Sequence, residues 1–180
     1  DWSPVLKFRN DPQDNWEIAV FGDSISHGGG HISYGPADHE FSWLSYLDFP
    51  AINLSMSGDT SVTMLERFEA DVLPFHPRYL LILNGTNSLR AGVSAAEVIA
   101  DLEELKARCL ANGIRPIFLT LPPINPENIA RAFDEPTADD WQTQFSLVNA
   151  FLRTEVHIDV HSPPIPCCRR NWLWTDCTRT

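Results

Sequence analysis

The chain has 180 residues, of which 43% are hydrophobic and 21% charged, and this size and composition predict one soluble globular domain with a sizeable core. Its formal net charge of −11 and sequence pI near 4.8 argue against a nucleic-acid-binding protein, since phosphate binding draws on clustered Lys and Arg. No apolar stretch approaches the roughly 18 to 20 residues of a membrane-spanning helix, so we expect no membrane span.

Short apolar runs alternate with segments of helical periodicity along the chain. Residues 1–15, with two prolines and several Asp and Asn, read as a linker or the tail of a preceding domain. Because the sequence starts without Met or a signal-like segment, we expect it to begin inside a longer precursor. Five strands are predicted, at Ile18–Phe21, Ala51–Leu54, Tyr79–Leu83, Ile117–Leu121 and Val156–Val160. Their alternation with helices predicts βαβ crossovers and a parallel sheet with both faces covered.

Three helices are predicted between these strands. Ser94 and Glu97 form a capping-box pattern at the start of the clearest one, and Gly113 can end it in a left-handed cap. A second helix starts at Thr137 or Asp139, and a third covers about Thr60 to Glu69. The side chains predicted to face the core are Val98, Leu102, Leu105, Cys109, Trp141, Phe145, Val148, Leu152, Leu65 and Phe68.

Polar, glycine-bearing turns follow the first three predicted strands. Their sequences are Phe21-Gly22-Asp23-Ser24-Ile25-Ser26-His27-Gly28, Leu54-Ser55-Met56-Ser57-Gly58-Asp59-Thr60 and Leu83-Asn84-Gly85-Thr86-Asn87-Ser88. Open parallel sheets bind their ligands at this end of the strands. The first turn can expose a serine hydroxyl beside free backbone N–H groups, as a serine nucleophile requires. One such turn alone is more typical of a helix cap, but three in this order favour a catalytic site.

Together these turns resemble the first three sequence blocks of the SGNH (GDSL) hydrolases, and the likeness covers about residues 17 to 160 of a domain that we place at 16–162. The resemblance implies a flavodoxin-like three-layer α/β/α sandwich with a five-stranded parallel sheet in the order 2-1-3-4-5. It also implies that Ser24 is the nucleophile and that the Gly58 N–H and the Asn87 side-chain amide join the Ser24 N–H in an oxyanion hole. Neither a metal nor an organic cofactor is implied.

Several neighbouring residues receive a structural interpretation. Asp59 is interpreted as a local turn former, and so is Ser88, which stands where many family members carry Asp. The segment from Leu121 to Pro136 is predicted to be a long, proline-stiffened loop that shapes the substrate site.

The histidines after the nucleophile turn are not spaced as metal ligands usually are. His27, His31 and His39 surround the run Gly28-Gly29-Gly30, and their spacing matches neither a paired helical site nor a zinc turn. We interpret this segment as a flexible rim. The aromatic side chains expected to pack underneath it are Phe41, Trp43 and Tyr46.

The general base that the resemblance implies is missing. The family's last block, Asp-x-x-His, follows the fifth strand and supplies His as the base and Asp to orient it, but no such sequence occurs after Asp159. His157 and His161 are the histidines nearest to this position, and both alternate with Asp159 in a strand pattern. They also come too early, and are more typical of the end of a strand.

Residues 163–180 have the character of another reading frame. They contain three of the four cysteines, without Cys-x-x-Cys spacing, and two tryptophans, without helical or strand periodicity. If each codon is read one base earlier, the stretch from Trp174 to Thr178 can encode Asp-Gly-Leu-His. We therefore hypothesise a frameshift near Ser162 to Pro164; the alternative is a natural, divergent C-terminus.

The sequence thus predicts a serine esterase or acylhydrolase that cleaves carboxylic esters through an acyl-enzyme, with acetyl groups on carbohydrate as the first substrate expectation. The missing His favours two alternatives, a non-catalytic SGNH-like module that binds a glycan or partner, and an inactive form that lacks Asp and His. A flavodoxin-like nucleotide binder is disfavoured because the first turn has no phosphate-binding Gly-rich fingerprint. The sheet edge left by a lost C-terminal helix favours self-association. The compartment stays open, with an extracytoplasmic location favoured.

Overall fold

A computed structural model of the protein describes residues 15–28, 42–133 and 136–160. The N-terminal linker predicted at 1–15, apart from Asn15, and the tail at 163–180 lie outside these residues. Phe41 and three of the six histidines, His31, His39 and His161, lie outside them too.

Five parallel strands form one sheet. They are β1 (Ile18–Gly22), β2 (Ile52–Asn53), β3 (Tyr79–Leu83), β4 (Arg115–Leu119) and β5 (His157–Ile158). Their order across the sheet is β2-β1-β3-β4-β5, and each neighbouring pair is parallel. This confirms the predicted α/β fold and its strand order.

The described residues also contain six α-helices. These are α1 (Ser24–His27), α2 (Ser61–Asp71), α3 (Thr86–Arg90), α4 (Ala95–Ala111), α5 (Pro126–Phe133) and α6 (Trp141–Leu152). Single turns of 3-10 helix lie at Trp43–Tyr46 and Leu73–Phe75.

The two inner strands β1 and β3 carry the centre of the core. Ala19, Val20 and Phe21 are fully buried, and Leu80–Leu83 are buried as well. Such strands have no polar face, because a parallel sheet is covered on both sides. The Phe21 ring also packs edge-to-face on Phe68 of α2, with 6.5 Å between ring centroids. The continuous apolar runs in the sequence therefore located the inner strands well.

The strands farther from the centre differ from the prediction in their bounds. β2 and β5 each contain only two residues, and β4 begins at Arg115 rather than Ile117. The Arg115 N–H donates to the Arg78 carbonyl oxygen at 2.9 Å, so pairing starts before the apolar run does. At the other end, the Val160 N–H donates to Thr120 Oγ1 rather than to a strand carbonyl, which ends β5 early.

Local signals located the ends of α4 and α2. Ser94 caps α4 in a reciprocal capping box with Glu97, and Gly113 follows the helix with a φ of 74°, as predicted. Thr60 caps α2, which runs two residues beyond the predicted Glu69. In α6 the cap is Asp140 rather than Thr137 or Asp139, but the predicted stripe is buried at Phe145, Val148 and Leu152, with Trp141 half-buried.

The segment from Leu121 to Pro136 is not the long loop that the sequence predicted, because its middle forms α5. Pro126 starts this helix, where its fixed φ and missing N–H cost nothing. Asn125 Oδ1 accepts the Asn128 N–H at 3.0 Å and so satisfies one of the first amides. Ile129 is fully buried and anchors the helix to the core. The prolines predict a stiffened loop, whereas Pro126 begins a helix.

Candidate active site

The turn after β1 contains the predicted nucleophile at the first residue of α1. Asp23 caps this helix by accepting the Ile25 N–H on Oδ1 at 2.9 Å, and Ser24 is half-buried. Gly22 is needed for space, because a Cβ there would lie 2.8 Å from Ser26 Oγ and 2.9 Å from the Leu83 carbonyl oxygen. In the Gly-Asp-Ser sequence, the glycine is therefore required by close packing and the aspartate caps the helix that follows.

The turn after β2 is hydrogen-bonded to the first turn. The Met56 N–H donates to the Gly22 carbonyl oxygen at 2.9 Å, which holds the start of the second turn beside the end of β1. Gly58, two residues later, has a φ of 87° and is exposed. This left-handed conformation is one that glycine adopts without strain.

Arg67 of α2 fixes both ends of the second turn. Its Nη1 donates to the Leu54 carbonyl oxygen at 2.8 Å, and its Nε donates to Asp59 Oδ2 at 2.7 Å. The guanidinium also lies over the Phe21 ring, 4.2 Å from its centroid. Asp59 is buried and forms an ion pair with this guanidinium, so the interpretation of Asp59 as a merely local turn former is wrong.

The turn after β3 is bonded to the second turn through Asn87. Its Nδ2 donates to the Asp59 carbonyl oxygen at 2.8 Å, and its Oδ1 accepts from Arg90 Nη1 at 3.2 Å. Asn87 lies in α3 and is half-buried. Hydrogen bonds thus join the turn of Gly58 to the turns of Ser24 and Asn87, so the three predicted site residues are carried by one connected set of loops.

Ser88 provides a second bond between α2 and α3. Its Oγ accepts the Ser61 N–H at 2.9 Å and lies 3.1 Å from Ser61 Oγ. Both residues are buried, and 27 positions separate them in the sequence. Ser88 is therefore not a local turn former either, and the long-range bond explains a buried hydroxyl at this position.

The buried carboxyl groups of Asp23 and Asp59 and the buried guanidinium of Arg90 lie at these turns. Burial raises the pKa of Asp23 to about 7; the negative charge of Asp59 raises it too, whereas the Ile25 N–H and the positive charge of Arg90 lower it. Asp23 Oδ2 is buried and has no hydrogen-bond partner. A large share of Asp23 is consequently protonated at neutral pH.

Sequence reasoning singled out neither Arg67 nor Arg90. The nearest signal for Arg67 is helical spacing, since it lies two turns into the helix that follows Asp59. Arg90 is buried, although arginine is a residue type that is mostly exposed. Arg90 lies at helical spacing from Asn87, but this spacing does not indicate that the side chain is buried.

The segment beside α1 is only partly packed as expected. Trp43 Nε1 donates to Ser26 Oγ at 3.1 Å, so this side chain does pack against α1. Tyr46 is 73% exposed, so the expectation that it packs underneath the rim is wrong. Among the described residues, no group of three or more His, Cys, Asp or Glu side chains is arranged to hold a metal ion.

The catalytic candidates near the end of β5, His157 and Asp159, contact residues outside the three turns. Asp159 Oδ1 accepts from Thr120 Oγ1 at 2.9 Å and its Oδ2 accepts from Arg153 Nε at 3.0 Å. His157 Nδ1 lies 2.9 Å from the Glu155 carbonyl oxygen. These contacts tie the C-terminal end of the sheet together.

Comparison with known proteins gives similarities in sequence and in fold. Among curated proteins, the uncharacterized lipoprotein YqeF of Bacillus subtilis is 28% identical over 120 residues, which are 60% of this chain and 49% of the relative. The chain therefore spans about half the length of that relative. In its described part, the protein has no helix of the length and apolarity that crossing a bilayer requires.

Two solved structures illustrate the likeness in fold. A lipase/acylhydrolase from Enterococcus faecalis has a TM-score of 0.61 at 19% identity, with 81% of this chain and 76% of that chain covered. The psychrotrophic esterase EstA from Pseudoalteromonas sp. has a TM-score of 0.54 at 22% identity, with 79% and 75% covered. The family model described as GDSL-like Lipase/Acylhydrolase matches residues 20–174. The chain belongs to the GDSL-like lipase/acylhydrolase family.

Proposed function

We propose that the protein is built as a serine ester hydrolase. Ser24 Oγ attacks the ester carbonyl carbon, and the Ser24 N–H, the Gly58 N–H and the Asn87 side-chain amide donate to the oxygen that becomes negative. The hydrogen bond from Asn87 Nδ2 to the Asp59 carbonyl oxygen carries this proposal. It uses one of the two amide protons, holds the amide at the junction of two turns, and leaves the second proton for a ligand.

The chemistry that follows is acyl transfer. Collapse of the tetrahedral intermediate expels the alcohol and leaves an acyl group on Ser24 Oγ, and attack by water then releases the acid. Donors fixed before the reaction favour this path, because they need no reorganisation when the oxyanion forms. Hydrogen bonds join the turns of all three donors, which is the property such donors need.

In this proposal the general base is the histidine of Asp-Gly-Leu-His, which the original reading frame of the C-terminal segment encodes. The carboxylate of Asp159 is already bonded to Thr120 and Arg153, which makes it a poor partner for a catalytic imidazole. Sequencing the gene and measuring the intact mass of the protein test the frameshift. An uninterrupted original frame running through residues 163–180 would refute it.

Phosphonylation of Ser24 tests the proposed function. A fluorophosphonate probe is suitable, since the EstA structure is that of an esterase inhibited by monoethylphosphonate. We expect labelling at Ser24, slower by several orders of magnitude in the present chain than in a chain whose frame is restored to Asp-Gly-Leu-His, as loss of a catalytic base elsewhere implies. A folded, frame-restored protein that neither labels nor hydrolyses para-nitrophenyl acetate would contradict the proposal.

For the substrate, we propose a short acyl ester, with acetyl groups on carbohydrate first. The family implies a small-molecule ester, and the lipoprotein relative supports a location outside the cytoplasm for this chain. Initial rates on para-nitrophenyl esters of increasing acyl length, and acetate release from acetylated sugars, test the choice. Faster hydrolysis of long-chain esters would contradict the choice of a short acyl group.

The absence of Asp-x-x-His after Asp159 favours one second candidate, a binding module that retains the site without turnover. This candidate predicts that a natural gene encodes the tail as it stands and that Ser24 stays unlabelled in folded protein. Titration calorimetry with acetylated and deacetylated oligosaccharides would then detect binding without acetate release.

A further inference from the structure

Arg90 is a buried cation beside the Asn87 amide. It is the last residue of α3, is only 7% exposed, and its Nη1 lies 3.2 Å from Asn87 Oδ1. Its backbone is held as well, because its carbonyl oxygen accepts the Ala138 N–H at 3.0 Å. Burying a guanidinium is costly unless it is hydrogen-bonded, and the Asn87 side-chain oxygen is one of the groups that accept from it.

The contact with Arg90 determines which way the Asn87 amide points. A guanidinium is donor-only, so the Asn87 atom that faces it must be the oxygen. The amide nitrogen then faces the Asp59 carbonyl oxygen, which is acceptor-only, at 2.8 Å. The reversed amide would set N–H against guanidinium and oxygen against oxygen. One orientation of Asn87 therefore satisfies both neighbours.

A cation on the amide oxygen also changes the amide nitrogen. Hydrogen bonds polarise one another, and donation to Oδ1 draws electron density from Nδ2, which makes the remaining Nδ2–H a stronger donor. The charge of Arg90 is felt at the neighbouring turn too, since it lowers the pKa of Asp23, the residue before Ser24. Its positive field thus reaches the region in which a negative oxygen would develop.

We propose that Arg90 is a positioning residue, which orients and polarises the Asn87 side-chain amide so that its second N–H points to the substrate oxyanion. This rests on the proposed function, in which Asn87 is an oxyanion donor. In this proposal Arg90 acts through Asn87 and not by binding the substrate.

Nuclear magnetic resonance tests the orientation independently of activity. In 15N-labelled protein, the Asn87 side-chain signals are identified by their loss in Asn87→Asp. We expect Arg90→Met to shift both Nδ2 proton signals and to speed their exchange with water, and Arg90→Lys to restore part of the difference. Arg78→Met is the matched control, since its guanidinium lies in an exposed ion pair with Glu17. Unchanged Asn87 signals in folded Arg90→Met would overturn the proposal.

A double-mutant cycle on fluorophosphonate labelling tests how Arg90 acts. We expect Arg90→Met to slow labelling about 10- to 100-fold, less than the about 100- to 1,000-fold typical for loss of an oxyanion donor. In the Asn87→Ala background, the same change should have little further effect, because Arg90 works through Asn87. Equal slowing in both backgrounds would contradict the proposal.

The two sets of measurements distinguish failure of the proposed function from failure of the inference about Arg90. If Asn87→Ala leaves labelling unchanged or the folded, frame-restored protein does not label, the proposed function fails, and the signals of Asn87 still decide whether Arg90 orients the amide. If Asn87→Ala slows labelling and Arg90→Met does not, the function stands and the inference about Arg90 fails.

Discussion

The backbone N–H of Ser61 donates a 2.9 Å hydrogen bond to the hydroxyl of Ser88, 27 positions away. The bond joins the first turn of α2 to α3, and each helix begins beside one of the proposed oxyanion donors. The hydroxyls of the two serines lie 3.1 Å apart as well. The relative position of Gly58 and Asn87 thus depends on buried serines as well as on the backbone.

Ser88→Ala is expected to destabilise the fold. The change leaves the Ser61 N–H buried without its acceptor, which typically costs about 1 to 3 kcal/mol. Urea unfolding measures the loss. Ser146→Ala is the matched control, because Ser146 is an exposed helix residue whose hydroxyl bonds only its own helix, at Gln142. Equal stability of the two variants would show that the Ser61–Ser88 bond contributes nothing.

Gly58→Ala and Gly113→Ala separate reactivity from backbone strain. Both glycines have positive φ, 87° and 74°, and at both an added Cβ would meet no atom within 4 Å outside the adjoining residues. We therefore expect each variant to lose about 1 kcal/mol of stability from the left-handed conformation alone. Fluorophosphonate labelling of Ser24 should slow only in Gly58→Ala. Slowing of the same size in Gly113→Ala would remove Gly58 from the proposed site.

Asn87→Ala is expected to leave a folded protein in which Ser24 reacts about 100- to 1,000-fold more slowly, as loss of one oxyanion donor does elsewhere. Labelling rates and unfolding curves measured on one preparation test both halves of this expectation. Asn112→Ala provides the control, since the exposed Asn112 amide donates to the Arg108 carbonyl oxygen at the end of α4. Comparable labelling of Asn87→Ala and wild type would argue against an oxyanion role.

Asp23 is expected to make stability depend on pH. Its pKa is raised from an ordinary value of 3.8 to about 7, mainly by burial, so the native state keeps a proton that the unfolded state releases. The contribution of Asp23 to folded-state stability is complete below about pH 3.8 and is lost as the pH rises through about 7. Over this range the free energy of unfolding changes by up to about 1.4 kcal/mol per pH unit.

Asp23→Asn isolates this effect, because asparagine keeps a capping oxygen and cannot ionise. Between pH 4 and pH 7, the free energy of unfolding of wild type should fall relative to that of the variant, and above about pH 7.5 the difference should level off. Chemical denaturation at several pH values measures it. Parallel pH profiles would show that Asp23 does not titrate in this range.

Local patterns in the sequence predicted the parts of the fold that depend on local chemistry. The apolar run Tyr79–Leu83 is a strand with the predicted bounds, and the pair Ser94 and Glu97 is a capping box. The prediction of a loop around Pro126 was wrong because proline is common both in loops and at the first position of a helix. Burial of Ile129 decides between these alternatives, and burial is a tertiary property.

The sequence predicted three candidate site residues but not the contacts that hold their turns together. The three turns were recognisable because each follows a strand at the same end of the sheet. Local patterns favour Asp59 and Ser88 as turn formers, whereas their partners are Arg67 and Ser61, on a helix that packs beside them. Arg90 was not predicted because its helical spacing from Asn87 does not indicate that the side chain is buried. Pairings across separate elements depend on the assembled sheet and leave no spacing in the sequence.

The most direct test of the proposed site is a crystal structure of the protein after prolonged exposure to an ethyl fluorophosphonate. We expect phosphorus bonded to Ser24 Oγ, with one phosphonyl oxygen at about 2.7 to 3.1 Å from both the Gly58 nitrogen and Asn87 Nδ2. An adduct whose oxygens all face solvent, away from these two donors, would contradict the proposed oxyanion hole.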